Sequence, residues 1–62
     1  MYNFKVGNRV RIVRLDSGNA PNGKPFYRMF GFIERIDGAY HYVRPRWYKH
    51  VHELYRNEIE LA

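Results

Sequence analysis

The chain has 62 residues, enough for one domain, and a domain this short buries so little surface that its stability is marginal. It carries no cysteine, which excludes disulfides and thiolate metal sites and fits a reducing, cytoplasmic setting. A 45 % hydrophobic and 18 % aromatic composition excludes a disordered chain, and the net charge of +5 points to acidic or polyanionic partners.

The charge is unevenly spread. Residues 1–15 hold Lys5, Arg9, Arg11 and Arg14 with no acid, and residues 40–50 add Arg44, Arg46 and Lys49. Residues 16–39 balance, and residues 51–62 are net acidic through Glu53, Glu58 and Glu60. If the two basic blocks meet in space they form one positive face. The opening MYNFKVGNRV has no apolar run suited to a signal peptide, and no segment approaches the roughly 18–20 apolar residues of a membrane span. With its initial Met and no tag, the chain reads as a complete small gene product of one domain, 1–62.

In chain order, RVRIVRL (9–15) alternates apolar and basic residues and predicts a strand. DSGNAPNGKP (16–25) is a loop that either wraps an end of the fold or works on a ligand. FYRMFGFIERI (26–36) predicts a second strand, bulged or bent at Gly31. Asp37-Gly38 predicts a hairpin turn into a third strand, AYHYV (39–43). Pro45 marks a turn or an edge, and RWYKHVHEL (46–54) predicts a fourth strand, with a helix over 46–56 as the weaker reading. LYRN reads as a single helical turn and EIELA as a last strand. The expected core is Phe4, Val10, Ile12, Phe30, Phe32, Ile33, Ile36 and Leu54. Five short strands in so few residues close most economically into one small bent barrel, an all-β architecture without exposed edges.

The motifs Val6-Gly7-Asn8-Arg9-Val10-Arg11-Ile12, Gly31-Phe32-Ile33 and Ile36-Asp37-Gly38, with the tail LYRNEIEL, resemble the KOW and Tudor-type SH3-like barrels. The chain also looks like the small single-domain proteins of this type found in bacteriophages and prophages. That resemblance implies a five-stranded SH3-like barrel with a short helical turn before the last strand, and host cytoplasm as the setting for a phage product. The loop 16–25 and the Arg-Pro-Arg-Trp-Tyr stretch depart from the ribosomal KOW pattern, and no ribosomal role is implied.

Catalysis finds little material. There is no Thr and a single Ser, Ser17, in a Gly-Asn loop where turn formation suits it. The acids are scattered and form no general acid/base pair, so no enzyme is expected. His50 and His52 share a strand face and His41 is on the adjacent strand, but zinc needs three or four ligands in a motif absent here, so neither metal nor cofactor is expected. Gly7 is a turn residue rather than part of a phosphate loop.

The stretch AYHYVRPRWYKH (39–50) carries the functional expectation. Alternation puts Tyr40, Tyr42 and Arg44 on one strand face and Arg46, Tyr48 and His50 on one face of the next. In the barrels this chain resembles, the Val43 face points inward, leaving Tyr40, Tyr42 and Arg44 outside. Rings would stack on bases while Arg9, Arg11, Arg44, Arg46 and Lys49 neutralise phosphates, Arg14 extends the track and Lys24 closes from the loop. The bland reading is that these tyrosines and arginines are cross-strand pairs that stabilise the sheet. The leading expectation is a non-enzymatic nucleic-acid-binding module of low sequence specificity, for DNA or RNA, with no membrane and no small-molecule substrate. The alternative is a phage-type interaction module that docks on an acidic host protein through the same Tyr/Trp/Arg surface. A cage of Trp47 and tyrosines for a cationic side chain is a third option, opposed by the surrounding cations.

Overall fold

The computed structural model describes residues 3–46 and 48–62. Five strands form one antiparallel sheet: β1 (Arg9–Ile12), β2 (Phe30–Asp37), β3 (Tyr40–Pro45), β4 (His52–Tyr55) and β5 (Ile59–Leu61). A 3-10 turn, Arg56–Glu58, separates the last two. The strand order is β4-β3-β2-β1-β5, and no pairing joins β4 to β5 among the described residues. The sheet is therefore open rather than closed into a barrel. No described helix is long and apolar enough to cross a membrane.

Period-two alternation divides the sheet into two faces. Val10, Ile12, Gly31, Ile33, His41, Val43, Pro45, Leu54 and Ile59 are buried. Arg9, Arg11, Phe30, Phe32 and Arg44 alternate with them and face solvent. The expected core holds at Val10, Ile12, Ile33 and Leu54, with Phe4 and Ile36 packed at its margin. It fails at Phe30 and Phe32, which are 38 % and 56 % exposed. Gly31 and Ile33 take the inward positions, so both phenylalanines must point out. Phe26 and Ala20, read as loop or strand entry, plug the core instead.

The distortion in β2 lies beyond Gly31. Ile33 pairs with Val43 and Arg35 with Tyr42, leaving Glu34 as the extra residue of a bulge. The bulge lets Ile33 and Ile36, three residues apart, both turn inward. Gly31 serves close packing: a Cβ there would run into the Arg44 carbonyl and lie 2.7 Å from Val43 Cγ1.

The other boundaries shift too. β1 ends at Ile12, and residues 26–29 belong to a turn, with Arg28 N–H bonding the Ile12 carbonyl and Ile12 N–H the Met29 carbonyl. Pro45, expected to break the pattern, is the buried last residue of β3, where it pairs with Gly31. The expected fourth strand shrinks to its last residues, because the described part of 46–51 is irregular and Tyr48 N–H bonds the Pro45 carbonyl at 3.1 Å. The Asp37-Gly38 hairpin, the helical turn and the closing strand form as expected.

The long loop is fastened to the sheet. Ser17, 5 % exposed, donates through Oγ to Glu58 Oε2 at 2.8 Å. Glu58 Oε1 accepts from Tyr55 N–H at 2.8 Å. The Ser17 carbonyl lies 2.5 Å from His52 Nε2, which must carry the proton because a carbonyl only accepts. The His52 ring stacks on Phe26 at 4.2 Å, so the loop wraps the open side of the sheet.

Candidate nucleic-acid interface

The registers assemble the site. Arg9 pairs with Phe32 and Phe32 pairs with Arg44, giving a row Arg9–Phe32–Arg44 across β1, β2 and β3. The next row carries Arg11 opposite Phe30, and Arg46 N–H bonds the Phe30 carbonyl at 2.8 Å. Two aromatic rings thus lie between two pairs of arginines on the outer face. A groove of about 500 Å³ runs over this face, lined by Phe30, Phe32, Arg9, Arg44, Arg46 and Tyr48. It adjoins a second groove of about 400 Å³ that brings Lys24 beside Phe30 and Arg46.

Acids temper this charge. Arg44 donates through Nε and Nη2 to the Glu34 carboxylate, and through Nη1 to the Lys49 carbonyl at 2.5 Å. The Arg44 hydrogen bond holds the Glu34 carboxyl below its ordinary range, and Glu34 in turn raises Arg44. Arg11 Nη2 meets Glu60 Oε1 at 2.5 Å across β1 and β5. Four arginines against two glutamates leave this patch +2. The Arg9 guanidinium lies over the Phe30 ring, 4.7 Å from its centroid.

Tyr40 and Tyr42 share the outer face, as expected, but toward β4, and their rings are already engaged. Tyr42 donates to Glu53 Oε2 at 2.9 Å, and Arg35 covers its ring at 4.2 Å. Tyr40 and Tyr55 join hydroxyls at 3.1 Å, with rings 5.0 Å apart. The bond to Glu53 pushes the Tyr42 phenol above its ordinary pKa, and the bond to Tyr55 does the same for Tyr40. Here the reading of tyrosines as sheet-stabilising cross-strand pairs describes what the structure contains.

Tyr48 is not on the Tyr40–Tyr42 face. Its ring packs edge-on against Phe26 at 6.1 Å, its hydroxyl accepts from Asn22 Nδ2 at 3.3 Å, and it lines both grooves. Lys49 is exposed in the irregular segment after it. Arg14 lies beyond β1, 3.7 Å from Asp16. Trp47, and with it the proposed cage, lies outside the described residues.

Sequence reasoning missed Phe30 and Phe32 by assigning large rings to the core. The available signal was the pairing of two alternating patterns: if the valine and isoleucine of RVRI face inward, its arginines face outward beside Phe30 and Phe32 of FGFI. Among the described residues no three metal-donor side chains come together: His41 is buried, His52 is stacked on Phe26 and His50 is exposed. The chain matches no known protein family, no curated protein and no solved structure.

Proposed function

We propose that this protein binds nucleic acid without catalysing a reaction, through the outer face of β1, β2 and β3. The observation that carries the reading is the row Arg9–Phe32–Arg44, with Arg11, Phe30 and Arg46 beside it. Exposed phenylalanines on a sheet are a costly place for apolar area unless something covers them. Arginines on both flanks make that cover polyanionic and planar. Phenyl rings offer no hydrogen-bond code, so discrimination among bases is low. In place of the expected Tyr40, Tyr42 and Tyr48, the stacking role falls to Phe30 and Phe32, while Arg9, Arg11, Arg44, Arg46, Lys49 and Lys24 contribute charge.

We also read the sheet as an SH3-like barrel left open between β4 and β5. The meander β1 to β4, with β5 returning to β1 after a 3-10 turn, supports this. Ser17, the lone serine, is committed to Glu58, which supports a binding rather than a hydrolytic role. The cysteine-free composition suits the cytoplasm, that of the host if a phage encodes the chain.

The test is fluorescence anisotropy with labelled DNA and RNA over a salt series. Binding that persists near 150 mM salt, with a log–log slope of several units, is expected. The Glu34–Arg44 and Arg11–Glu60 pairs favour the second reading, a protein partner, because they spend two arginines internally. If nucleic acid releases fully at that salt and a single acidic protein is captured instead, the second reading holds.

A further inference from the structure

Resting on that reading, we infer that the ligand is single-stranded and that the face seats two adjacent, unstacked bases, on Phe32 and on the Arg9-capped Phe30. The two phenylalanines are residues i and i+2 of one strand, on one face of the sheet. That spacing sets their attachment points about 6.6–6.8 Å apart. Adjacent bases in a duplex strand rise by about 3.4 Å, half that distance. Two neighbouring bases can meet both positions only if the strand is stretched and the bases splayed. A single strand does this readily; a paired duplex keeps its base faces buried in its own stack.

The two seats differ. Phe32 is the more open, at 56 % exposed, and offers a bare ring. Phe30 carries the Arg9 guanidinium over its ring, 4.7 Å from the centroid, a plane on which a base also stacks. Each seat has an arginine on either side: Arg9 and Arg44 flank Phe32, and Arg11 and Arg46 flank Phe30. Phosphates on either edge of a splayed dinucleotide therefore meet arginines whichever way the strand runs, at Arg11 and Arg44 in competition with Glu60 and Glu34. Gly31 makes the seat firm, because its missing Cβ lets β3 lie directly against β2 beneath the two rings.

The experiment compares labelled 12-mers of oligothymidine and oligouridine with a 12-base-pair duplex, at two salt concentrations, for wild type, Phe32→Ala and Phe32→Tyr. Phe32 lies outside the core, and thermal melting confirms that each variant folds. The expected result is tighter binding of single strands than of duplex. Phe32→Ala then weakens single-strand binding about 5- to 150-fold, as loss of a base stack does. Phe32→Tyr restores it, and the salt slope is unchanged. Equal affinity for duplex and single strand, or a Phe32→Ala variant that binds single strands as wild type does, overturns the inference while leaving nucleic-acid binding in place. Failure of all three probes to bind near 150 mM salt overturns both.

Discussion

Glu34 occupies the bulge of β2 and holds Arg44 by two hydrogen bonds, so Glu34→Gln is a direct test of whether Arg44 is on the phosphate path. The substitution raises the net charge from +5 to +6 and weakens the competitor for Arg44, while the Lys49 carbonyl still steadies its Nη1. Both side chains are exposed, so little stability rides on the pair and the melting temperature should barely move. A protein with 6–10 phosphate contacts loses about 10³–10⁵ in affinity between 50 and 200 mM salt, or about threefold per contact. Releasing Arg44 to a phosphate should therefore tighten binding at low salt. It should also multiply the affinity ratio between those two salts by about three, with the log–log slope steeper by about 0.7 for a single strand. Anisotropy titrations at four salt concentrations read both quantities. A variant that stays folded, with affinity and slope equal to or below those of wild type, would refute the placement of Arg44 in the interface.

Three further outcomes test the structure beneath the site. Gly31→Ala puts a methyl against Val43 and the Arg44 backbone, and overpacking of this kind costs about 1–3 kcal/mol. A domain this small melts about 4–8 °C lower per kcal/mol, so an unchanged melting curve would remove the close β2–β3 approach from the account. Ser17→Ala removes a half-buried hydrogen bond to the Glu58 carboxylate, worth about 1.5–3 kcal/mol, and should speed hydrogen exchange across loop 16–25; unaltered protection there would show that the latch does not hold the loop. Tyr42 titrates above the ordinary 10.0 because its hydroxyl donates to Glu53. With the folded pKa raised, the bond's contribution is present below the unfolded value and lost as pH rises through the folded one. Phenolate absorbance of wild type minus Tyr42→Phe should show that late titration, and a difference curve centred at or below 10.0 would contradict the bond.

How far the chain explains itself can be judged residue by residue. RVRI alternates so cleanly that its inward valine and isoleucine, and its outward arginines, were legible without any coordinates. The Asp37-Gly38 turn was equally plain, since Gly38 takes a positive φ of 59° that a side chain disfavours. The closing 3-10 turn and β5 followed from a short polar interruption before an alternating tail. Chemistry local to a few residues determined all of these.

What the sequence left open depends on partners distant in the chain. Phe30 and Phe32 look like core until the register sets Gly31 against Pro45 and turns both rings outward. The bulge at Glu34 was hinted at by Ile33 and Ile36 standing three apart, a spacing that one uninterrupted strand cannot bury on one face. The same bulge aims Glu34 at Arg44 and leaves Arg35 over Tyr42. Likewise, Glu60 tempers Arg11 only because β5 returns to pair with β1 across a separation of 49 residues. Local propensity fixes where strands alternate and turn, because it depends on the chain's own sterics. Which rings are bare and which cations are neutralised is decided by cross-strand register, because those contacts exist only once the whole sheet has formed.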